Sequence, residues 1–434
     1  MIRTLIAALF LAAPAAAEVT IQEVTSPGGI DAWLVEERSI PFVALELRFR
    51  GGASLDEPGK RGATNLMMAL LEEGAGDLDA RGFAQATEEL AARFDFDAYD
   101  DTLTIGAEFL TENRDEAVEL LRLALQEPAF NQTALDRVRG QVESIIRSDA
   151  QDADDVASNT YFDLAFGDHP YGTDLNGTLD SVAALTREDI FAAHRNALVR
   201  DQLYVGAVGD ISADELGVLL DDLLGGLPAS GAALAPEIDY DLAGGVTVVD
   251  FASPQSTALF GHGGIERDDP DFFAAFILNE ILGGRGLESR LSQEVREKRG
   301  LTYGVSSFLV SKDRAQMYLG SVRSSNDRIG QAIDVIRDEW TRMADEGVTA
   351  EELEETKLYL TGAYPLRFDG NGTIANILAG MQMQDLGVDY IATRNDKVNA
   401  VTLEEINRVA AELLQPENLH FVVVGQPDAL ETTN

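Results

Sequence analysis

The chain has 434 residues, 45% of them hydrophobic, which is more than one hydrophobic core usually organises and enough for two or more packed domains. It carries 75 acidic residues against 33 Lys and Arg, a formal charge of −42, and this sign excludes a nucleic-acid partner because phosphate binding needs the opposite charge. It has no cysteine, which removes disulfides, thiolate metal sites and cysteine nucleophiles together.

At the start, "MIRTLIAALFLAAPAAAEVT" places Arg3 before an apolar run from Leu5 to Ala13 and a small-residue site at Ala15, Ala16 and Ala17. That order describes a cleaved secretory signal over residues 1–17, with the short, alanine-rich form of a bacterial one, so the expected location is the periplasm. No later run approaches the roughly 20 apolar residues of a membrane helix, and no membrane span is expected.

"FVALELRFRGGAS", Phe42 to Ser54, alternates apolar and polar residues and predicts a half-buried strand ending at Gly51 and Gly52. A buried helix follows over Gly62 to Glu73, within "KRGATNLMMALLEEGAG". "DTLTIGAEFL" is the next strand, "DEAVELLRLAL" an amphipathic helix, and "QLYVGAVGD" the strand that closes this part. The same order then returns. "STALFGHGGI" is a strand, and "DDPDFFAAFILNEILGG" a helix with Asp269 as N-cap, Pro270 at its first position and Gly283 as its stop. "RAQMYLGSV", "IGQAIDVIRDEW" and "HFVVVGQ" complete the second set.

The repetition is also legible in the letters. "LTREDIFAAHRNALVRDQLYVGAVGD", Leu185 to Asp210, recurs 216 residues later as "VTLEEINRVAAELLQPENLHFVVVGQ". Thr133 and Thr349 open blocks at the same offset. The chain therefore reads as two homologous α+β domains, residues 18–226 and 240–434, each a mainly antiparallel sheet with helices on one face. They are joined by the Pro-, Gly- and Ala-rich stretch at residues 227–239.

The order of strand, buried helix, "GGRGLESRLSQEVREKRGLTYGVSSF" and, earlier, "FGDHPYGTDLNGTLDSVAALTREDI" resembles the pitrilysin and mitochondrial-processing-peptidase family of zinc peptidases over essentially the whole chain after the signal. The resemblance implies that the two domains form half of a clamshell chamber. Members of that family carry H-x-x-E-H on the first helix of the first domain: two histidines one turn apart hold zinc and the glutamate acts as base on the metal-bound water. In this chain Asn65, Met68 and Ala69 stand at those three positions. Asn is a poor zinc ligand, Met68 cannot take a proton from water and Ala69 has no donor atom. The position of the third ligand falls at Ile145, with Glu143 nearby. The four histidines, His169, His194, His262 and His420, lack the spacing of a relocated site. This chain is thus expected to hold no metal or other cofactor, and the zinc to sit in another subunit.

In the second domain Arg296 and Tyr303 lie seven residues apart in "REKRGLTY". The resemblance implies a pair that donates hydrogen bonds to the substrate carbonyl as it becomes an oxyanion. The alternative is structural: cations in the last turn of a helix stopped at Gly300, and an aromatic residue beginning a strand. Gly283, Gly284 and Gly286 match a glycine-rich loop that handles substrate in processing peptidases, or else form a helix end and turn.

What the resemblance implies is a non-catalytic subunit of a periplasmic zinc peptidase, paired in a heterodimer with a homologous subunit that has an intact H-x-x-E-H. It would enclose a peptide and supply Arg296 and Tyr303 across the interface. The negative charge is either solvated surface or a field that steers basic peptides. A homodimeric peptide-binding or scaffold protein without a protease partner is the alternative.

Overall fold

The computed structural model describes residues 20–433, so the expected signal peptide, residues 1–17, lies outside the described residues. The first half contains β1 (Gln22–Thr25), β2 (Asp31–Glu36), β3 (Phe42–Arg50), β4 (Arg93–Ala98), β5 (Thr102–Leu110) and β6 (Leu203–Gly209), and the second β7 (Gly245–Asp250), β8 (Gln255–Gly263), β9 (Gly304–Ser311), β10 (Gln316–Ser325) and β11 (His420–Gly425). The first sheet runs β1-β2-β6-β3-β5-β4 and the second β7-β11-β8-β10-β9. Without β1 the two orders are the same: in each, the last strand inserts between the first two, parallel to one and antiparallel to the other. The fold is α+β and duplicated. Between the sheets, residues 227–244 carry neither helix nor strand.

The duplicated letters correspond to duplicated capping. Thr186 and Thr402 each open a helix with a reciprocal capping box, to Asp189 and Glu405, so both copies of that block satisfy their first amide donors in the same way. Two helix ends differ from expectation. The helix expected over residues 62–73 ends at Ala69, because Leu70, Leu71 and Glu73 turn back onto carbonyls three residues earlier and Gly74 adopts a φ of +125°. The helix expected from Asp269 begins at Phe272; the Asp269 carboxylate instead accepts the Asp271 amide at 2.7 Å in the turn before it.

Each strand face has its own partner. In β3, Val43, Leu45, Leu47 and Phe49 pack on the helices of their own half, with Leu66, Met67 and Leu71 among them. Ala44, on the opposite face, packs with Val208 against Ala375 and Leu378 of the helix Asn371–Met383, which belongs to the second half. The exchange is reciprocal. Ala157, Tyr161, Ala165 and Phe166 of the first-half helix Ala153–Phe166 cover Met317, Leu319, Val422 and Val424 of the second sheet. Sequence periodicity placed each domain's helices on one face of its sheet; the structure adds that the other face is closed by a helix of the other half. Burying each large side chain there contributes about 1.5–3 kcal/mol.

The two β-hairpin tips also meet. Asp313 donates its amide to Asp101 at 3.0 Å and its carboxylate pairs with Arg50 at 2.8 Å, while Lys312 pairs with Asp100. Tyr171 joins them: its hydroxyl donates to Asp101 at 2.5 Å and accepts the Arg314 amide at 3.1 Å.

Two outcomes follow for stability. A Cβ at Gly206 would lie 2.1 Å from the Ala375 carbonyl oxygen, so the close approach of the exchanged helix requires glycine. Gly206→Ala should lower stability by about 2 kcal/mol in urea unfolding, whereas Gly140→Ala, on a helix with open space at the Cβ, should raise it by about 0.5 kcal/mol. The His262 ring accepts from Trp340 Nε1 at 3.0 Å through Nε2 and donates to the Gly263 carbonyl at 2.7 Å; burial holds its pKa down to about 4. A base depressed in the folded state binds its proton earlier when unfolded, so its contribution is present above pH 6.5 and is lost as pH falls from 6.5 to 4. NMR titration should find the folded His262 ring neutral down to about pH 4.

Candidate functional site

The helix Ala63–Ala69 is held between its own sheet and the helix Arg187–Ala197, and Met67 and Met68 are almost wholly buried in the core. Its N-terminus is set by Asp56, whose carboxylate accepts the Gly62 and Thr64 amides at 2.8 and 2.9 Å and the Thr64 hydroxyl at 2.7 Å. Burial nevertheless raises the Asp56 pKa above the usual carboxylate range. Asn65 uses its side chain as a tie: its Nδ2 donates to Asn176 Oδ1 at 2.8 Å, linking the helix to the loop before Thr178. Met68 is a packing residue in the core, and Ala69 is half-buried beside it.

At the expected position of the third ligand, Ile145 is 46% exposed and Glu143 pairs with Arg147 at 2.9 Å, one helical turn away. Among the described residues no group of three or more His, Asp or Glu side chains could hold a metal ion. The four histidines are occupied in structure: His169 with the Pro236 carbonyl and the Tyr171 amide, His194 with the Leu125 carbonyl, His420 with the Ala243 carbonyl and Thr247, and His262 as described. The side chains present on the first helix do not fit a zinc ion.

In the second half Arg296 lies in the last turn of Ser292–Glu297, and Gly300 follows with a φ of +62°. The neighbouring cations are engaged: Lys298 and Arg299 reach Glu294 at 2.6 and 2.7 Å. Those pairs pull the Glu294 carboxyl down to about 2. Arg296 is less engaged, its closest carboxylate being Glu297 at 3.4 Å. Tyr303, just ahead of β9, is 87% exposed, and among the described residues nothing hydrogen-bonds its hydroxyl. It stands on a cleft of about 750 Å³ between the exchanged helix Ala153–Phe166 and strands β8, β9 and β10, where Thr257, Ser306 and Ser321 supply polar side chains. Arg296 does not line that cleft.

The three glycines do different things. The helix runs through Gly283 as a wide turn to Gly284, so Gly283 is not its stop; a Cβ there would lie 2.5 Å from the Ser307 amide of β9, which is why a side chain is excluded. A Cβ on Gly284 would meet Glu280 and Asn279 at 2.8 and 2.9 Å. Gly286, at a φ of +58°, is the one with open space around it. Nothing in the letters separated these reasons, since close approach and left-handed backbone both read as glycine. The residue that spacing missed is Tyr171: "DHPYG" marked its segment, but the partners that give its hydroxyl a role lie 70 and 143 residues away.

Two sheets of one topology, exchanged helices and a zinc helix without ligands define an inactive member of a metallopeptidase fold. Two family descriptions match, "Insulinase (Peptidase family M16)" over residues 33–179 and "Peptidase M16 inactive domain" over residues 184–360, and the chain belongs to the M16 family, the pitrilysin-type peptidases. It is 27% identical to the "Non-peptidase homolog YmxG" of Helicobacter pylori over 97% of each chain. An "Uncharacterized zinc protease" of Streptomyces coelicolor is 24% identical over 91% of this chain and 87% of that one. Among solved structures, the peptidase M16 inactive domain from Pseudomonas fluorescens superposes with a TM-score of 0.89 at 26% identity, covering 96% of this chain and all of that one. A protease from Helicobacter pylori shares the fold at a TM-score of 0.84 and 16% identity, over 94% and 100% of the two chains.

Removing the Asn65 amide should cost packing order and leave metal content unchanged. Asn65→Ala is expected to lower stability by about 1 kcal/mol, and elemental analysis should find the same zinc content in variant and parent.

Proposed function

We propose that this protein is the non-catalytic subunit of an exported zinc peptidase, working in the periplasm beside a homologous subunit that keeps H-x-x-E-H. The observation that carries the reading is the unequal fate of the two half-sites. The zinc positions are filled by Asn65, Met68 and Ala69, two of them used for packing and an inter-segment tie, while Arg296 and Tyr303 keep their spacing and Tyr303 faces solvent with an unengaged hydroxyl. Tyr303, 87% exposed at the edge of a cleft that carries Thr257, Ser306 and Ser321, has its hydroxyl available to a molecule that enters there. The "Non-peptidase" name of the Helicobacter pylori relative supports the same direction.

On this reading the peptide bond is cut at the partner's zinc. This chain closes one side of the chamber and presents a guanidinium and a phenol to the carbonyl oxygen that gathers charge. Donors aimed at developing charge act on the barrier more than on ground-state affinity. Gly286, with its open surroundings, is the position of the loop suited to a close backbone approach by peptide.

The test is a mixing assay with this chain and an intact homologue from the same cell. Cleavage of a peptide should be at least ten times faster in the mixture than with either alone, and Arg296→Ala or Tyr303→Phe should lower kcat in the mixture by about 10- to 1000-fold with little change in KM. A mixture no faster than the homologue alone, or one indifferent to both substitutions, overturns the proposal.

A further inference from the structure

Most arginines of the described structure meet a carboxylate, as a chain with 75 acids leads one to expect. Arg267, Arg367 and Arg394 do not, although they share one cleft of about 780 Å³ between the helix Phe272–Asn279, the turn Tyr364–Arg367 and the helix Asn371–Met383. Arg48 lines it too, its Nε buried without a hydrogen-bond partner and 3.7 Å from Glu46. Against four arginines the lining has one carboxylate, Asp369.

Arg394 is the most unusual of them. It is 5% exposed, and its hydrogen bonds go to neutral acceptors, the Leu360 carbonyl at 3.0 Å and the Asn395 amide oxygen at 3.1 Å. Burial, together with repulsion from Arg367, holds its pKa below the usual guanidinium value. Glu280 acts on Arg394 only from beyond ion-pair distance, and rings flank the guanidiniums at closer range: Arg394 lies 4.6 Å from the Tyr364 ring, and Arg267 lies 4.1 Å from Phe272 while donating to the Tyr390 hydroxyl at 2.6 Å. Cation–π contacts offset part of the desolvation but leave in-plane N–H donors free, and a planar oxyanion satisfies such donors two at a time. The cleft therefore offers an apolar aromatic wall beside positive charge, in a protein that is otherwise strongly negative.

It also opens into a larger cavity between the two domains, of about 1200 Å³, with which it shares Arg48, Arg267 and Gln384. That continuity gives an extended chain room to reach it. Resting on the reading of this protein as one wall of a peptide chamber, we propose that the cleft is a specificity site for a carboxylate borne by an apolar peptide, either its C-terminus or an acidic side chain. The carboxylate meets the Arg367 and Arg394 guanidiniums, and the adjacent apolar side chain rests on Phe272 and Tyr364. The surface charge and this site then act differently: the general field favours basic peptides, and the cleft selects the end or position at which a negative group is accepted.

The test uses the full chain alone and three N-acetylated, fluorescently labelled hexapeptides of alanine and phenylalanine: one with a free C-terminus, one C-amidated, and one C-amidated with an internal glutamate. At least one carboxylate peptide should bind tenfold or more tightly than the amidated one, and the stronger of the two identifies the source of the carboxylate. Arg367→Glu changes an exposed side chain that makes no ion pair among the described residues, so folding should be intact, and it should abolish that preference; Arg267→Gln should weaken it at least threefold. Equal binding of all three peptides, no binding up to millimolar concentration, or a preference that survives Arg367→Glu overturns the proposal. Because no partner subunit is present, a lone chain that binds as expected but gives no faster cleavage when mixed would count against the subunit reading only. A productive mixture with no carboxylate preference would count against this site only.

Discussion

The constraint on which the rest of the structure depends is the exchange of one helix between the two halves. Each sheet has an apolar face that its own helices do not cover, and an α+β sheet in water must bury both apolar faces or expose several hundred Å². The helices Ala153–Phe166 and Asn371–Met383 close those faces reciprocally, and Gly206 is small because the backbone of one of them passes against it. The relative placement of the two sheets is thereby fixed, and so is the cavity between them. The hairpin tips, locked by Asp101, Asp313 and Tyr171, set the same geometry from the other end.

The candidate sites hang from that frame in different ways. The helix Ala63–Ala69 lies inside the first core, where Met68 is part of the packing, so the domain's architecture needs no metal ligands on that helix. The Tyr303 cleft exists because the exchanged helix Ala153–Phe166 forms its other wall, and the arginine cleft exists because the exchanged helix Asn371–Met383 forms one of its sides. The Tyr303 cleft thus takes its walls from both halves, whereas the arginine cleft is built from the second half with Arg48 as the first half's contribution.

Much of the fold was legible in the sequence because the signals are local. Alternation in "FVALELRFR" specified β3, and the block from Leu185 to Asp210, recurring 216 residues later, specified two equivalent helix-and-strand units and, with them, the duplication. The identity of the zinc positions was equally local, since H-x-x-E-H is a spacing on one helix. What was not legible depends on distance along the chain. Nothing in the amphipathic pattern of residues 371–383 says that its partner sheet is the first rather than the second, and nothing near Gly283 says that Ser307 presses on it. The arginine cleft was invisible for the same reason: Arg48, Arg267, Arg367 and Arg394 are scattered over the sequence, and only the fold brings them to one cleft.

The exchanged helices also have a consequence for how the chain is made. Val422 and Val424 are among the final strand residues, yet their cover is a helix finished some 250 positions earlier, while Ala44 and Val208 wait for residues 371–383 to be synthesised. Contacts of such long sequence separation raise the loop-closure cost and slow folding. An emerging first half must therefore keep an apolar surface unmated until translation is nearly over, a stretch of time in which that surface is open to non-native contacts.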